Sequence, residues 1–73
     1  MAEDPLVMAQ RHVREGEQRV VEQVDRLARM KADGDSERGI ASAEAVLATL
    51  RQSLELAREH LALEQEHSQR SDG

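Results

Sequence analysis

Three histidines carry the only side chains in this sequence whose ordinary charge change falls near neutral pH, which suits them to metal binding or proton transfer. His12 falls near the start, and His60 and His67 fall near the end, in the stretch EHLALEQEH. In a helix, His60, Glu64 and His67 occupy positions i, i+4 and i+7 and so share one face. If the chain folds back on itself, His12 comes to the same end, with Glu15 and Glu59 nearby. Imidazole and carboxylate on adjoining helices are the parts from which bundle metal sites are made. The plainer reading is that these are solvated histidines near helix ends, where His60 and His67 in protonated form would also suit the helix dipole. No cofactor or resident metal is expected. His12, His60, Glu64 and His67 stand as candidate ligands only.

Other catalytic signals are missing. There is no cysteine nucleophile, no glycine-rich phosphate loop and no His-Glu-x-x-His pair on a helix. Ser36, Ser42 and Ser53 read as cap and helix-surface residues. The expectation is a chain that is not an enzyme.

What must position these residues is a set of long helices. The chain has 73 residues, no Cys, Phe, Tyr or Trp, one Pro, four Gly and 34% charged side chains. A single small domain without disulfides must rely on regular helix packing or on association with other chains. Its core must come from Leu, Val, Ile, Met and Ala, with Met8 and Met30 as fillers. The net charge of −5 is uneven: residues 34–73 hold four basic and eight acidic side chains. That offers no positive stripe for phosphate backbones, so no nucleic-acid partner is expected. No apolar run approaches the ~20 residues of a membrane span. The start, MAEDPLVMAQ, is acidic and unlike a secretory signal. Together these features predict no membrane partner and a cytoplasmic location.

The first helix is predicted over about 5–32. Asp4 is a good N-cap and Pro5 suits the first helical position. Leu6, Ala9, Val13, Gly16, Val20, Val24, Leu27 and Met30 recur at three- and four-residue spacings, one helical face. Arg11, Glu15, Gln18, Glu22, Asp25 and Arg29 form the opposite face. Glu15–Arg19, Glu22–Arg26 and Asp25–Arg29 are i,i+4 pairs in the favourable order. The turn is expected at 33–36, where Gly34 supplies a left-handed residue past the helix end. Asp35 or Ser36 then caps a second helix over about 37–66, with Glu37 in its first turn. So short a link joins antiparallel neighbours.

Ile40, Leu47, Leu54 and Leu61 lie seven apart, and Ala43, Leu50 and Ala57 fill the positions between. This is a heptad seam that stops at Glu64, and residues 67–73 are expected to fray. The hairpin seam is therefore assigned to Leu6, Val13, Val20, Val24 and Leu27 against Ile40, Leu47, Leu50, Leu54 and Leu61. With a turn between residues 34 and 35, facing residue numbers sum to about 69. That places Gly16 opposite Ser53 and Leu6 near Leu61 and Leu63. A close helix approach would explain a glycine inside a helix at position 16; chance would too.

Apolar residues also lie off the seam. Ala45, Thr49, Leu56 and Leu63, with Val46 between them and the seam, form a second stripe on the second helix. Val7, Val21 and Ala28 share a flank of the first. A wide apolar arc is covered on more than one side. A second copy would do this, two hairpins making a four-helix bundle, usually about a two-fold axis. The alternatives are a different helical partner, or a monomer whose Leu56 and Leu63 are ordinary exposed leucines.

The segment His12–Glu64 resembles a group of short bacterial, mostly alphaproteobacterial, helical-hairpin proteins. The likeness rests on His12–Glu17 as H-x-x-E-G-E, Leu27–Ser36 with its Asp-Gly turn, Ala43–Leu50 as A-x-x-x-L-x-x-L, and Arg58–Leu61 as R-E-H-L. The resemblance implies a helical hairpin of bacterial cytoplasmic origin and brings no catalytic residues, since the group has no assigned activity. Gly39 departs from it, standing where relatives place a better helix former, and weakens the first turn of the second helix. The whole reading is an all-α antiparallel two-helix hairpin in one domain, 1–73, that self-associates as an interaction or regulatory module. Its rivals are an adaptor for another helical protein, and a metal- or pH-responsive His/Glu site at the open end.

Overall fold

The computed structural model describes residues 4–70, which form two α-helices packed along each other. Helix α1 runs Pro5–Ala32 and helix α2 runs Glu37–Arg70. The hairpin measures 57 Å in its longest dimension and 20 by 16 Å across.

Local chemistry sets the ends. The Asp4 carboxylate accepts from the Leu6 N–H at 2.8 Å, and Pro5 follows at the first helical position. At the other end of α1, Asp33 is the last helical-like residue and Gly34 turns left-handed, with φ +70°. The Gly34 N–H then donates to the Lys31 carbonyl at 3.2 Å and the Asp35 N–H to the Met30 carbonyl at 3.0 Å. These two bonds form a Schellman motif, which satisfies carbonyls the helix cannot reach. Of the two possible caps for α2, Ser36 is used: its Oγ accepts from the Gly39 N–H at 3.1 Å. Its carbonyl accepts the first helical bond, from Ile40 at 3.0 Å.

Helix α2 continues four residues beyond the expected end at 66. No Gly or Pro occurs between Leu61 and Arg70, and Glu, Gln and Arg are good helix formers. Residues 71–73 of the tail lie outside the described residues, as do residues 1–3.

The core is a thin seam. Ala9, Leu27, Ala43, Leu47 and Leu54 are buried. Val20, Met30 and Ile40 pack against the cluster of Leu27, Ala43 and Leu47, while Leu6, Val13, Leu50 and Leu61 are half-buried. On α1 the buried and half-buried positions are 6, 9, 13, 16, 20, 23, 27 and 30, and on α2 they include 40, 43, 47, 50, 54, 57, 61 and 64. Both helices thus alternate strict three- and four-residue steps, a heptad seam on each side. Small residues on one helix meet large ones on the other, as Gly16 meets Leu54.

Four details differ from the sequence reading. Val24, assigned to the seam, is 41% exposed. Gln23 takes the inward place, and its Nε2 donates across the seam to the Ala43 carbonyl at 3.0 Å. Gly16 faces Leu54, one residue from the expected Ser53, because the left-handed residue and the Ser36 cap shift the turn's centre. Leu63, expected near Leu6 as well as on the second stripe, is 64% exposed and belongs to the stripe alone, since Leu61 and Glu64 are the seam residues at that level. The i,i+4 pairs proposed along α1 do not close. The ion pairs within 4 Å among the described residues include Arg58–Glu17 at 3.5 Å and Arg58–Glu55 at 3.9 Å, and the His60 ring lies 3.8 Å from the Glu64 carboxylate. Exposed ion pairs gain little over hydration, so such side chains take other rotamers at small cost.

Candidate functional site

The histidine cluster divides. His60 Nε2 lies 3.8 Å from Glu64 Oε1, one helical turn away. Glu64 and His67 border a shallow depression at the open end together with Asp4, Pro5, Leu6 and Ser68. Their Glu-x-x-His spacing is one that bundle metal sites use, but such sites need a second set of ligands on the facing helix. Here the facing seam residue is Leu6. His12 lines a separate groove with Glu15, Arg19 and Ser53. Among the described residues no group of three or more His, Asp or Glu side chains stands where it could share a metal ion.

The more extensive feature is the apolar surface left uncovered by the hairpin. Leu56 and Leu63 on α2 are 60% and 64% exposed, and Val21 on α1 is 61% exposed. Val7, Met8, Val24 and Val46 are also exposed. Ala45, Val46, Thr49 and Leu50 line a shallow apolar depression on the outside of α2. The Thr49 hydroxyl donates to the Ala45 carbonyl at 3.2 Å, so the one polar group in that stripe is turned back onto its own helix.

These residues do not form one patch. The Glu17–Arg58 ion pair bridges the helices on one side of the hairpin. Val24, one heptad beyond Glu17, lies on that side, with Val21 and Val7 further round α1. The other side carries the groove lined by His12, Arg19 and Ser53, continued by a second groove lined by Arg26, Ser42 and Val46. Val46 is on that side, with Thr49, Leu56 and Leu63 further round α2. The hairpin therefore presents two apolar stripes, on opposite faces, one from each helix. Sequence spacing identified Val7 and Val21 on α1 and Val46, Leu56 and Leu63 on α2, but placed Val24 in the seam. Which face each occupied required the heights and sides of the inter-helix contacts.

No helix among the described residues is long and apolar enough to cross a membrane. No family model, curated protein or solved structure matches the chain.

Proposed function

We propose that this protein is a non-enzymatic helical hairpin that associates with copies of itself, serving as an interaction or regulatory module. The observation that carries this reading is the pair of exposed stripes: Val7, Val21 and Val24 on α1, and Val46, Leu56 and Leu63 on α2. Among the described residues the enclosed core amounts to five buried side chains, none of them larger than leucine. A small domain with so thin a seam gains stability by covering apolar surface in an assembly. Two hairpins side by side provide four helices and enclose what one seam cannot. Bacterial cytoplasmic origin belongs to the same proposal.

Sedimentation equilibrium on the full chain tests it. A mass above one 8.2 kDa chain, rising with concentration, supports self-association. A chain that stays monomeric at high concentration, and still helical by circular dichroism, overturns it. That outcome would favour the second reading, an adaptor that offers Ala45, Thr49, Leu56 and Leu63 to a different helical protein. The shallow apolar depression beside Thr49 is the feature that favours this alternative.

A further inference from the structure

A two-fold dimer is the usual arrangement for self-association, and it presents the same face of each copy to the other. That geometry suits this hairpin poorly. On the face that carries Val46 and Leu56, α1 contributes His12, Arg19 and Arg26. On the face that carries Val24, α2 contributes Arg58. Two hairpins placed face to face about a two-fold axis would cover one stripe in each copy and leave the other in water.

The stripes do match each other. Gly16 faces Leu54 and Gly39 faces Met30, and Leu27 shares a core cluster with Ala43, so residues at equal height along the two helices have numbers adding to about 70. By that rule Val24 stands at the height of Val46, Val21 at that of Thr49, and Val7 at that of Leu63. Arg14, between Val7 and Val21 on the α1 stripe, stands at the height of Leu56, which Glu55 and Glu59 flank on α2. A second copy moved sideways, without sliding along the helix axis, would set its α1 stripe antiparallel against the α2 stripe of the first. Val24 then faces Val46, Val21 faces Thr49 and Val7 faces Leu63, while Arg14, level with Leu56, comes beside the Glu55 and Glu59 carboxylates that flank it.

Resting on the self-association reading above, we propose that copies associate head to tail: the Val7–Val21–Val24 stripe of one packs on the Val46–Leu56–Leu63 stripe of the next. Each copy uses two different surfaces, so the contact is heterologous. Such contacts extend until a ring closes or the supply of chains ends.

Two surface variants test this. Val21→Glu breaks the α1 stripe and Leu63→Glu the α2 stripe. Both positions are more than half exposed, so each chain should remain helical by circular dichroism. Each variant alone should be monomeric, because every head-to-tail contact in a pure sample includes a broken stripe. Mixed, the intact α1 stripe of Leu63→Glu should bind the intact α2 stripe of Val21→Glu, giving a capped 1:1 heterodimer by sedimentation. If both stay monomeric on mixing, or if Val21→Glu self-associates like the wild type while Leu63→Glu does not, the head-to-tail arrangement is overturned and self-association stands. If the wild-type chain is itself monomeric at high concentration, both readings fall together.

Discussion

Leu54 lies so close across the seam from Gly16 that a methyl group on Gly16 would stand 3.1 Å from the Leu54 Cδ1 and 3.7 Å from its Cα. The absent side chain at Gly16 thus leaves room that Leu54 occupies from across the seam. Two effects oppose each other on substitution. Alanine in a helix is favoured over glycine by ~1 kcal/mol. Against that, Leu54 must yield a few tenths of an ångström.

The sign can be decided. The crowded atom is the tip of a flexible side chain, and Leu54 borders the groove beside His12 and Ser53, into which the tip can turn. Gly16→Ala is therefore expected to be neutral or to stabilise by up to ~1 kcal/mol. Gly16→Val adds two further carbons at the same point and forces the helices apart, at a cost of about 1–3 kcal/mol. Urea unfolding of the two variants checks this. A loss above about 1 kcal/mol for Gly16→Ala would mean that Leu54 has nowhere to go.

Gln23 is the polar residue at the centre of the seam. Its Nε2 reaches the Ala43 carbonyl at 3.0 Å, an acceptor already inside α2. Removing the amide therefore orphans no backbone group. A cross-seam hydrogen bond contributes ~0.5–1.5 kcal/mol, and burying a leucine side chain ~1.5–3 kcal/mol. Gln23→Leu should raise the thermal midpoint. Gln23→Ala, which loses the bond and the packing together, should lower it. A fall in both variants would show that the hydrogen bond outweighs apolar packing at this position.

This residue also shows where sequence reading ends. The caps at Asp4, Pro5, Gly34 and Ser36 act within three residues of themselves, and the helix boundaries they predict match the structure at both ends of α1 and at the start of α2. The heptads of α2 were legible for the same reason. On α1, Gln23 and Val24 both fit a three-four spacing from Val20 to Leu27, and hydropathy selects valine. What selects Gln23 is a carbonyl twenty residues away. The split of the apolar surface onto two faces was hidden likewise. It depends on which flank of α1 meets which flank of α2, and no local pattern encodes that.

Three leucines on α2 sample three environments and give a graded series. Leu47 is buried in the central cluster, Leu50 is half-buried at the seam's edge, and Leu56 is mostly exposed. Leu47→Ala should cost about 2–5 kcal/mol, from lost transfer energy plus the cavity left behind. Leu50→Ala should cost less, because solvent and neighbouring side chains can fill part of the space. Leu56→Ala, measured at a concentration where chains are dissociated, should lie within about 0.5 kcal/mol of wild type. Equal costs at Leu47 and Leu56 would refute the assignment of seam and surface.

The turn offers the last prediction, and it separates backbone strain from packing. Gly34 has φ +70°, and no atom lies within 4 Å of the place a Cβ would occupy. Nothing there can clash, so any cost of Gly34→Ala comes from the left-handed backbone alone, about 1–2 kcal/mol. Asparagine visits that region more readily than alanine, so Gly34→Asn should recover part of the loss. Ser36→Ala removes the acceptor of the Gly39 N–H and should cost about 0.5–2 kcal/mol by a different route. Gly34 and Ser36 serve separate bonds, on α1 and α2 respectively, but lie two residues apart in one turn, so the departure of the double variant from the sum of the two single losses measures their coupling through the backbone. Thermal unfolding of the four chains measures each value. If Gly34→Asn is no better than Gly34→Ala, the left-handed conformation is not what fixes the turn. In that case the packing of Leu27 on Ala43 would hold the helices antiparallel without it.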